Sequence, residues 1–168
     1  MARLAAMGTI CLATTAIAKE NLDGKFVSAK TGDTITIEAY PTGIRGRITC
    51  KIASIAAPVL SSTSPQLGAR DATKFLGRYL DGKEISLALE ETDKKTVCTA
   101  TVSGEDIGAV ILYNGHAWFQ DENILPVNRD YYIALEAAAK ESRRGLWART
   151  NPTPPWEHIK MLKGLRRH

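Results

Sequence analysis

The sequence is short of the residues that most enzyme sites need. It has only three histidines and three cysteines in 168 residues. His116, His158 and His168 lack the spacing of metal ligands. The serine-rich loop at 61–64 has no nearby histidine in sequence, so a hydrolase triad has no local support. A phosphate-binding glycine loop, an internal repeat and a low-complexity tract are also missing from the sequence.

Long hydrophobic runs are missing as well, apart from one short stretch at the N-terminus. Residues 1–18 carry Arg3, then small and apolar residues, and end in Ala16-Ile17-Ala18. This pattern is typical of a signal peptide cleaved before Lys19, although a helix packed on the domain is an alternative. The run is too short for a permanent membrane span. We therefore expect a periplasmic or secreted protein with no transmembrane segment after cleavage.

Charge is distributed unevenly along the chain. The whole sequence carries +4. Residues 139–168 contain eight Lys or Arg and two Glu, a net charge of +6, whereas residues 19–138 carry −3. The positive potential therefore belongs to the C-terminal end. Its basic residues are Lys140, Arg143, Arg144, Arg149, Lys160, Lys163, Arg166 and Arg167.

The central stretch of the chain, from Arg47 to Val59, alternates like a strand that ends at Pro58. Other patterns predict strands at 24–30, 33–40, 84–89 and 96–102. Helical spacing predicts helices beginning at Pro65, over 106–114 and over 127–144. Residues from Trp147 to Trp156 are predicted to be extended.

The order of these motifs resembles the staphylococcal nuclease family. The matching framework consists of Gly32-Asp33-Thr34, Pro58, a helix with Ala69 and Ala72, Gly115-His116-Ala117-Trp118, Glu136-Ala137 before Lys140, and Gly145-Leu146-Trp147. The resemblance implies an α+β fold, a five-stranded OB-type β-barrel with about three helices. We divide the chain into a signal peptide at 1–18, the nuclease-like domain at 19–150, and an extended Pro/Trp segment with a basic tail at 151–168.

Most of the chemistry that the resemblance implies is absent. The family's first arginine corresponds to Lys51, which keeps the charge but not the paired donors. Its calcium-binding aspartate corresponds to Ala56, its proposed general base to Val59, and its second arginine to Val97. Of the metal carboxylates only Asp33 remains, and calcium wants six to eight oxygens. We therefore expect no cofactor and a lost calcium site.

Asp33, Arg47 and Lys51 are the vestigial catalytic candidates. Arg47 lies four residues before Lys51 on the same strand face and offers a rearranged site. Asp33 also fits an ordinary turn aspartate, and Lys51 an ordinary solvated strand residue.

The resemblance also brings two cysteines together. Lys51 and Val97 occupy the positions of two arginines that converge on one phosphate, so their strands must run close together. The neighbouring Cys50 and Cys98 would then point into the barrel. Two alternatives remain at this point, a disulfide between the two cysteines or two buried free thiols.

Three functions remain for such a chain. The first is a catalytically degenerate domain that binds nucleic acid or a protein partner. The second is an active phosphodiesterase with a rearranged site, and the third is an interaction subunit of a cell-envelope assembly. Candidate residues for nucleic acid or another anionic partner are Arg143, Arg144, Arg149, Lys160, Lys163, Arg166 and Arg167.

Overall fold

The structure is a computed structural model that describes residues 21–40, 46–92, 94–121 and 125–165. The predicted signal peptide at 1–18 lies outside the described residues. The same holds for Arg166 and Arg167 of the basic tail.

Within the described ranges, five long strands follow the alternation of the sequence. Along the third strand, Cys50 and Ile52 are buried whereas Arg47 and Thr49 are exposed, as the period of two requires. The strands are β1 Asn21–Thr31, β2 Thr34–Ala39, β3 Gly46–Ile52, β4 Ile55–Ala56, β5 Glu84–Glu91, β6 Thr96–Val102, β7 Glu105–Asp106 and β8 Trp118–Phe119.

The sheet closes into a barrel. Its order is β3-β2-β1-β5-β6-β7, with antiparallel neighbours, and β3 also pairs with β6 in parallel. The parallel contact matches Lys51 with Val97 and Ile52 with Cys98. The predicted five-stranded OB-type barrel in an α+β fold is therefore confirmed.

In the described part of the chain, four α-helices accompany the barrel, one more than predicted. Ala69, Ala72, Leu76 and Leu80 form the buried face of the first helix, which packs on β1. Within the described residues, no helix is long and apolar enough to cross a membrane. The helices are α1 Ala69–Leu80, α2 Ile107–Tyr113, α3 Arg129–Glu141 and α4 Pro155–Leu165, with a 3-10 helix at Gly145–Ala148.

A carboxylate ties α2 to α3. Asp106 caps α2 by accepting from the backbone N–H groups of Gly108 and Ala109. The hydroxyl of buried Tyr132, from α3, donates to the same carboxylate at 2.8–2.9 Å. Burial, and then the carboxylate, raise the pKa of Tyr132 above its usual range. The phenol therefore stays a donor and fixes α3 against α2.

The predicted start of α1 at Pro65 is wrong, because the helix begins at Ala69. The side chain of Gln66 accepts from Val59 N–H at 2.9 Å and donates to the Thr153 carbonyl at 2.5 Å. These bonds hold the chain in a turn, and Gly68 leaves it at φ 90°. A left-handed residue cannot continue a helix from Pro65.

The predicted extended segment is wrong at both ends, because Trp147 lies in the 3-10 helix Gly145–Ala148 and α4 begins at Pro155. Proline fits the first turn of a helix, because the N–H that it lacks would have no partner there. The N–H groups of Glu157 and His158 both donate to the Pro154 carbonyl at 3.1 Å. The prolines therefore precede or start this helix and do not interrupt it.

Two glycine turns of the resemblance meet in space. The Leu146 N–H donates to the Gly115 carbonyl at 2.8 Å, and Trp118 packs edge-on against Trp147 with ring centroids 5.5 Å apart. Gly115 and Gly145 have φ 71° and 51°, and a Cβ on either would collide with the backbone of the other turn. The Gly115 and Gly145 turns therefore have a structural role, in which each packs closely against the backbone of the other.

Cys50 and Cys98 are joined by a disulfide, with Cα atoms 5.9 Å apart. Both side chains are buried in the barrel. The bond lies beside the β3–β6 contact that closes the sheet. Disulfides persist in oxidising compartments, so this bond points to an extracytoplasmic location.

The first prediction concerns this bond. Replacing both residues, Cys50→Ala with Cys98→Ala, should lower the free energy of unfolding by about 3–4 kcal/mol, because the bond closes a loop of 48 residues in the unfolded chain. Urea unfolding of the exported protein measures the loss. Wild-type protein with reductant is the control and should resemble the double variant. Two alkylatable thiols after unfolding without reductant would show that the bond does not form.

Candidate functional site

The candidate site is built around the carboxylate of Asp33, in the turn between β1 and β2. One oxygen accepts from the hydroxyls of Thr31 at 2.6 Å and Thr34 at 3.1 Å. The other accepts from the backbone N–H of Ala57 at 3.0 Å and lies 3.9 Å from Lys51 Nζ. The predicted turn role of Asp33 is therefore visible in these bonds, which also reach the chain after β4.

Gly32 lets this turn approach its neighbours closely. A Cβ at Gly32 would lie 2.5 Å from the Cβ of Ala72 on α1 and 2.8 Å from that of Ala57. Only glycine therefore fits between the helix and the end of β4. The small residues around it set the position of the Asp33 carboxylate, which is 12% exposed.

Lys51 is brought to Asp33, as its place in the resemblance implied. It lies on β3, and its ammonium donates to the Ile55 carbonyl at 2.5 Å. Its side chain is 20% exposed, so it is more enclosed than an ordinary solvated strand lysine. The ammonium bridges a carbonyl and a carboxylate of its own protein, which is a structural arrangement.

The three substituted positions lie in β4, in the chain that follows it and in β6. Ala56 lies in β4, where it pairs with Trp118 of β8. The N–H of Val59 is held by Gln66, and the Val59 side chain carries no proton acceptor. Val97 is directly opposite Lys51 and fully buried against Ala53 and Leu125. A small apolar cluster thus stands where the resemblance places an arginine.

The residues present do not fit a calcium ion. Among the described residues, Asp33 is the one carboxylate at this site, and both its oxygens already accept from protein donors. Alanine at 56 and valine at 59 offer no side-chain oxygen. Across the described ranges, no group of three or more His, Cys, Asp or Glu side chains could hold a metal ion.

Arg47 is not brought into this cluster. It is exposed and pairs across the sheet with Glu38. Four residues of strand separate it from Lys51, roughly 13 Å at the usual rise. The rearranged active site considered above therefore lacks Arg47 as a second cation beside Lys51.

His116 is a packed side chain. Its ring stacks on Phe75 with centroids 4.2 Å apart. Burial lowers the pKa of His116 below its ordinary value, and the charge of Asp71 opposes that shift. The neutral ring is therefore the form that the folded state favours.

The basic C-terminal residues divide between two places. Arg143 is exposed in the turn after α3, and Arg144 lies over the ring of Tyr113, 3.9 Å from its centroid. Arg144 also donates to the Tyr113 carbonyl at 3.1 Å, and Arg149 pairs with Asp71 at 3.7 Å. Two further residues, Lys160 and Lys163, are exposed on α4.

The two C-terminal tryptophans play different parts. Trp147 packs on Trp118 and lies under the Lys140 ammonium, 4.6 Å from the ring centroid. It anchors its segment to the body of the domain. Trp156 is 44% exposed on α4, so much of its side chain faces solvent.

Gln66 is the residue that sequence reasoning missed. Its side chain joins the chain after β4 to the segment before α4, and it is buried. A buried amide in a loop of small polar residues gives no periodic signal. The exposed Tyr113 ring beneath Arg144 was missed too, because the two residues are 31 positions apart.

Comparison with known proteins adds three findings. Residues 49–149 match the family described as "Staphylococcal nuclease homologue". A rice (Oryza sativa subsp. japonica) protein named "Probable staphylococcal-like nuclease CAN4" is 30% identical over 111 residues, which are 62% of this chain and 22% of the rice protein. A protein of Escherichia coli O157:H7 named "Uncharacterized endonuclease" is 24% identical over 143 residues, 81% of this chain and 84% of that one.

The second prediction follows from the bonds of Asp33. Asp33→Ala should lower the free energy of unfolding by about 1–3 kcal/mol, because it leaves the buried Ala57 N–H without its acceptor. Urea unfolding measures this loss. Asp81→Ala, which removes an exposed carboxylate, should change stability by less than about 0.5 kcal/mol. Equal stability of both variants would remove the structural role of Asp33.

The third prediction concerns pH. The unfolded chain takes up a proton at His116 near pH 6.5, whereas the folded protein does so only at lower pH. The stabilising contribution is therefore complete above that value and is lost as pH falls through the folded pKa. Between pH 7.5 and 5, wild type should lose more stability in urea unfolding than His116→Phe does. Parallel curves for the two proteins would contradict the assignment.

Proposed function

Because the chain belongs to the staphylococcal nuclease family, we propose that it keeps the family's barrel but binds nucleic acid without hydrolysing it. The observation that supports this proposal is that the charged groups of Asp33 and Lys51 bond to other groups of the same protein. In this cluster, the Asp33 carboxylate and the Lys51 ammonium are occupied by partners within the protein. No side chain beside Pro58 can take a proton from water.

Phosphodiester hydrolysis needs charge that this cluster does not supply. The transition state places extra negative charge on the phosphate oxygens, which guanidinium groups or a metal ion stabilise. Here one cation is a lysine bonded to Ile55 and the facing position is the buried Val97. Loss of several such groups, each worth about a hundredfold or more, removes the reaction.

The turn after α3 supports nucleic acid as the ligand. Arg143 is exposed, and Arg144 lies over the ring of Tyr113, whose side chain is also exposed. A guanidinium presents paired donors to a phosphate, and an exposed aromatic ring offers a stacking surface to an unpaired base. The net charge of +6 in residues 139–168 favours the same class of ligand. The two relatives are named as a nuclease and an endonuclease, and these names describe proteins that act on nucleic acid.

Export belongs to the same proposal. Residues 1–18 have the pattern of a signal peptide, and the Cys50–Cys98 bond suits an oxidising compartment. We place the mature domain, beginning at Lys19, in the periplasm or outside the cell. We propose that the domain works without a cofactor.

The fourth prediction tests both halves of the function. With calcium, the pure processed protein should not cleave single-stranded DNA or RNA above background. It should bind these strands in fluorescence anisotropy, with an affinity that falls as salt rises. Arg143→Ala with Arg144→Ala should weaken binding and reduce the salt slope by about 0.7 for each phosphate contact removed.

A matched control separates the site from general charge. Arg70→Ala with Arg78→Ala removes two exposed arginines from α1 and should leave binding unchanged. Robust calcium-dependent cleavage that Asp33→Ala abolishes would establish an active rearranged site instead. If the protein neither cleaves nor binds these strands, a protein partner in the cell envelope becomes the favoured alternative.

A further inference from the structure

Helix α4 exposes an unusual amount of apolar surface. Nine large hydrophobic side chains are exposed in the described residues, and four of them lie in this eleven-residue helix. They are Trp156 at 44%, Ile159 at 40%, Met161 at 52% and Leu165 at 75% exposed. Such a concentration marks an interaction surface, because soluble proteins seldom leave large side chains clustered in water.

The helix is attached to the body by only one of its sides. Pro155 is buried, and His158 and Leu162 are partly buried, which places these three on the inward face. At 100° per residue, Trp156, Ile159, Lys160 and Lys163 fall within one arc of about 100° on the outside. These outward residues, with Gly164, line a shallow surface cleft of about 420 Å³.

The outward face combines apolar bodies with positive charge. Lys160 and Lys163 are exposed beside Trp156 and Ile159, and Glu157 is the helix's one acid. Two more arginines, Arg166 and Arg167, follow in the sequence. Lysine stems lie along apolar surface while their ammonium groups reach outward, and tryptophan favours the boundary between apolar and polar phases.

We propose that α4 docks on an anionic lipid surface. The outward Trp156 and Ile159 would enter the boundary between headgroups and acyl chains, and the two lysines would meet lipid phosphates. A nucleic-acid strand could stack on Trp156, but it would leave Ile159 in water. The lipid surface is the occupant that takes up both apolar side chains of the outward face, and its charge complements the two lysines.

This docking differs from the nucleic-acid binding proposed above. That binding uses Arg143 and Arg144 in the turn after α3, whereas lipid docking uses α4. The extracytoplasmic location indicated by the disulfide puts the domain where envelope membranes are available. One chain would thus hold nucleic acid near a membrane surface.

The fifth prediction is a sedimentation experiment with the full processed chain. It should bind vesicles of phosphatidylcholine with 30 mol% phosphatidylglycerol, and bind pure phosphatidylcholine vesicles far more weakly. Lys160→Gln with Lys163→Gln should weaken binding about fivefold for each lysine. Trp156→Ser with Ile159→Ser should abolish it. Tryptophan emission should shift to shorter wavelength on binding, and Trp156→Phe should remove that shift.

Matched controls use exposed residues on other helices. Tyr131→Ser with Ile133→Ser on α3, and Arg70→Gln with Lys74→Gln on α1, should bind as wild type does. Circular dichroism checks that each variant is folded. Absence of vesicle binding, or equal binding by the α4 variants and the controls, would overturn the proposal. An emission shift with single-stranded DNA but not with vesicles would assign this face to nucleic acid instead, whatever happens at Arg143 and Arg144.

Discussion

The short parallel contact between β3 and β6 is the constraint on which the rest of the structure depends. Two residue pairs close the sheet there, and the neighbouring disulfide makes that closure covalent. A barrel without this contact would be an open sheet with two unpaired edges. Closure also places Lys51 beside Val97. The contact that completes the fold therefore determines which side chains face each other at the candidate site.

From that contact the polar cluster is assembled by backbone geometry. The turn of Gly32 and Asp33 is pressed between α1 and the chain after β4, and the carboxylate satisfies an N–H that strand pairing leaves over. The bonds that stabilise the cluster engage both oxygens of the Asp33 carboxylate and the Lys51 ammonium.

Sequence patterns predicted the strands well, because period-two alternation and glycine turns are local signals that the tertiary structure did not override. The closure of these strands into a barrel was predicted from the family resemblance. Cys98 could be placed near Cys50 only through the resemblance, since alternation says nothing about which strands meet. The helix start at Pro65 and the extended segment through Trp156 were wrong for local reasons. Gln66 holds the first in a turn, and Pro155 starts a helix that a cluster of prolines concealed. The pairing of Arg144 with Tyr113 joins distant positions and left no periodic trace.

The burial of Val97 also limits how this sequence can change over generations. A single substitution to arginine at this position would force a guanidinium into the space shared with Ala53 and Leu125, and such a protein would fold poorly. The space around it must be enlarged first, by changes that bring no benefit alone. A guanidinium at position 97 therefore meets a packing barrier, whereas exposed positions on the outside of the barrel accept a charged side chain at little cost in stability.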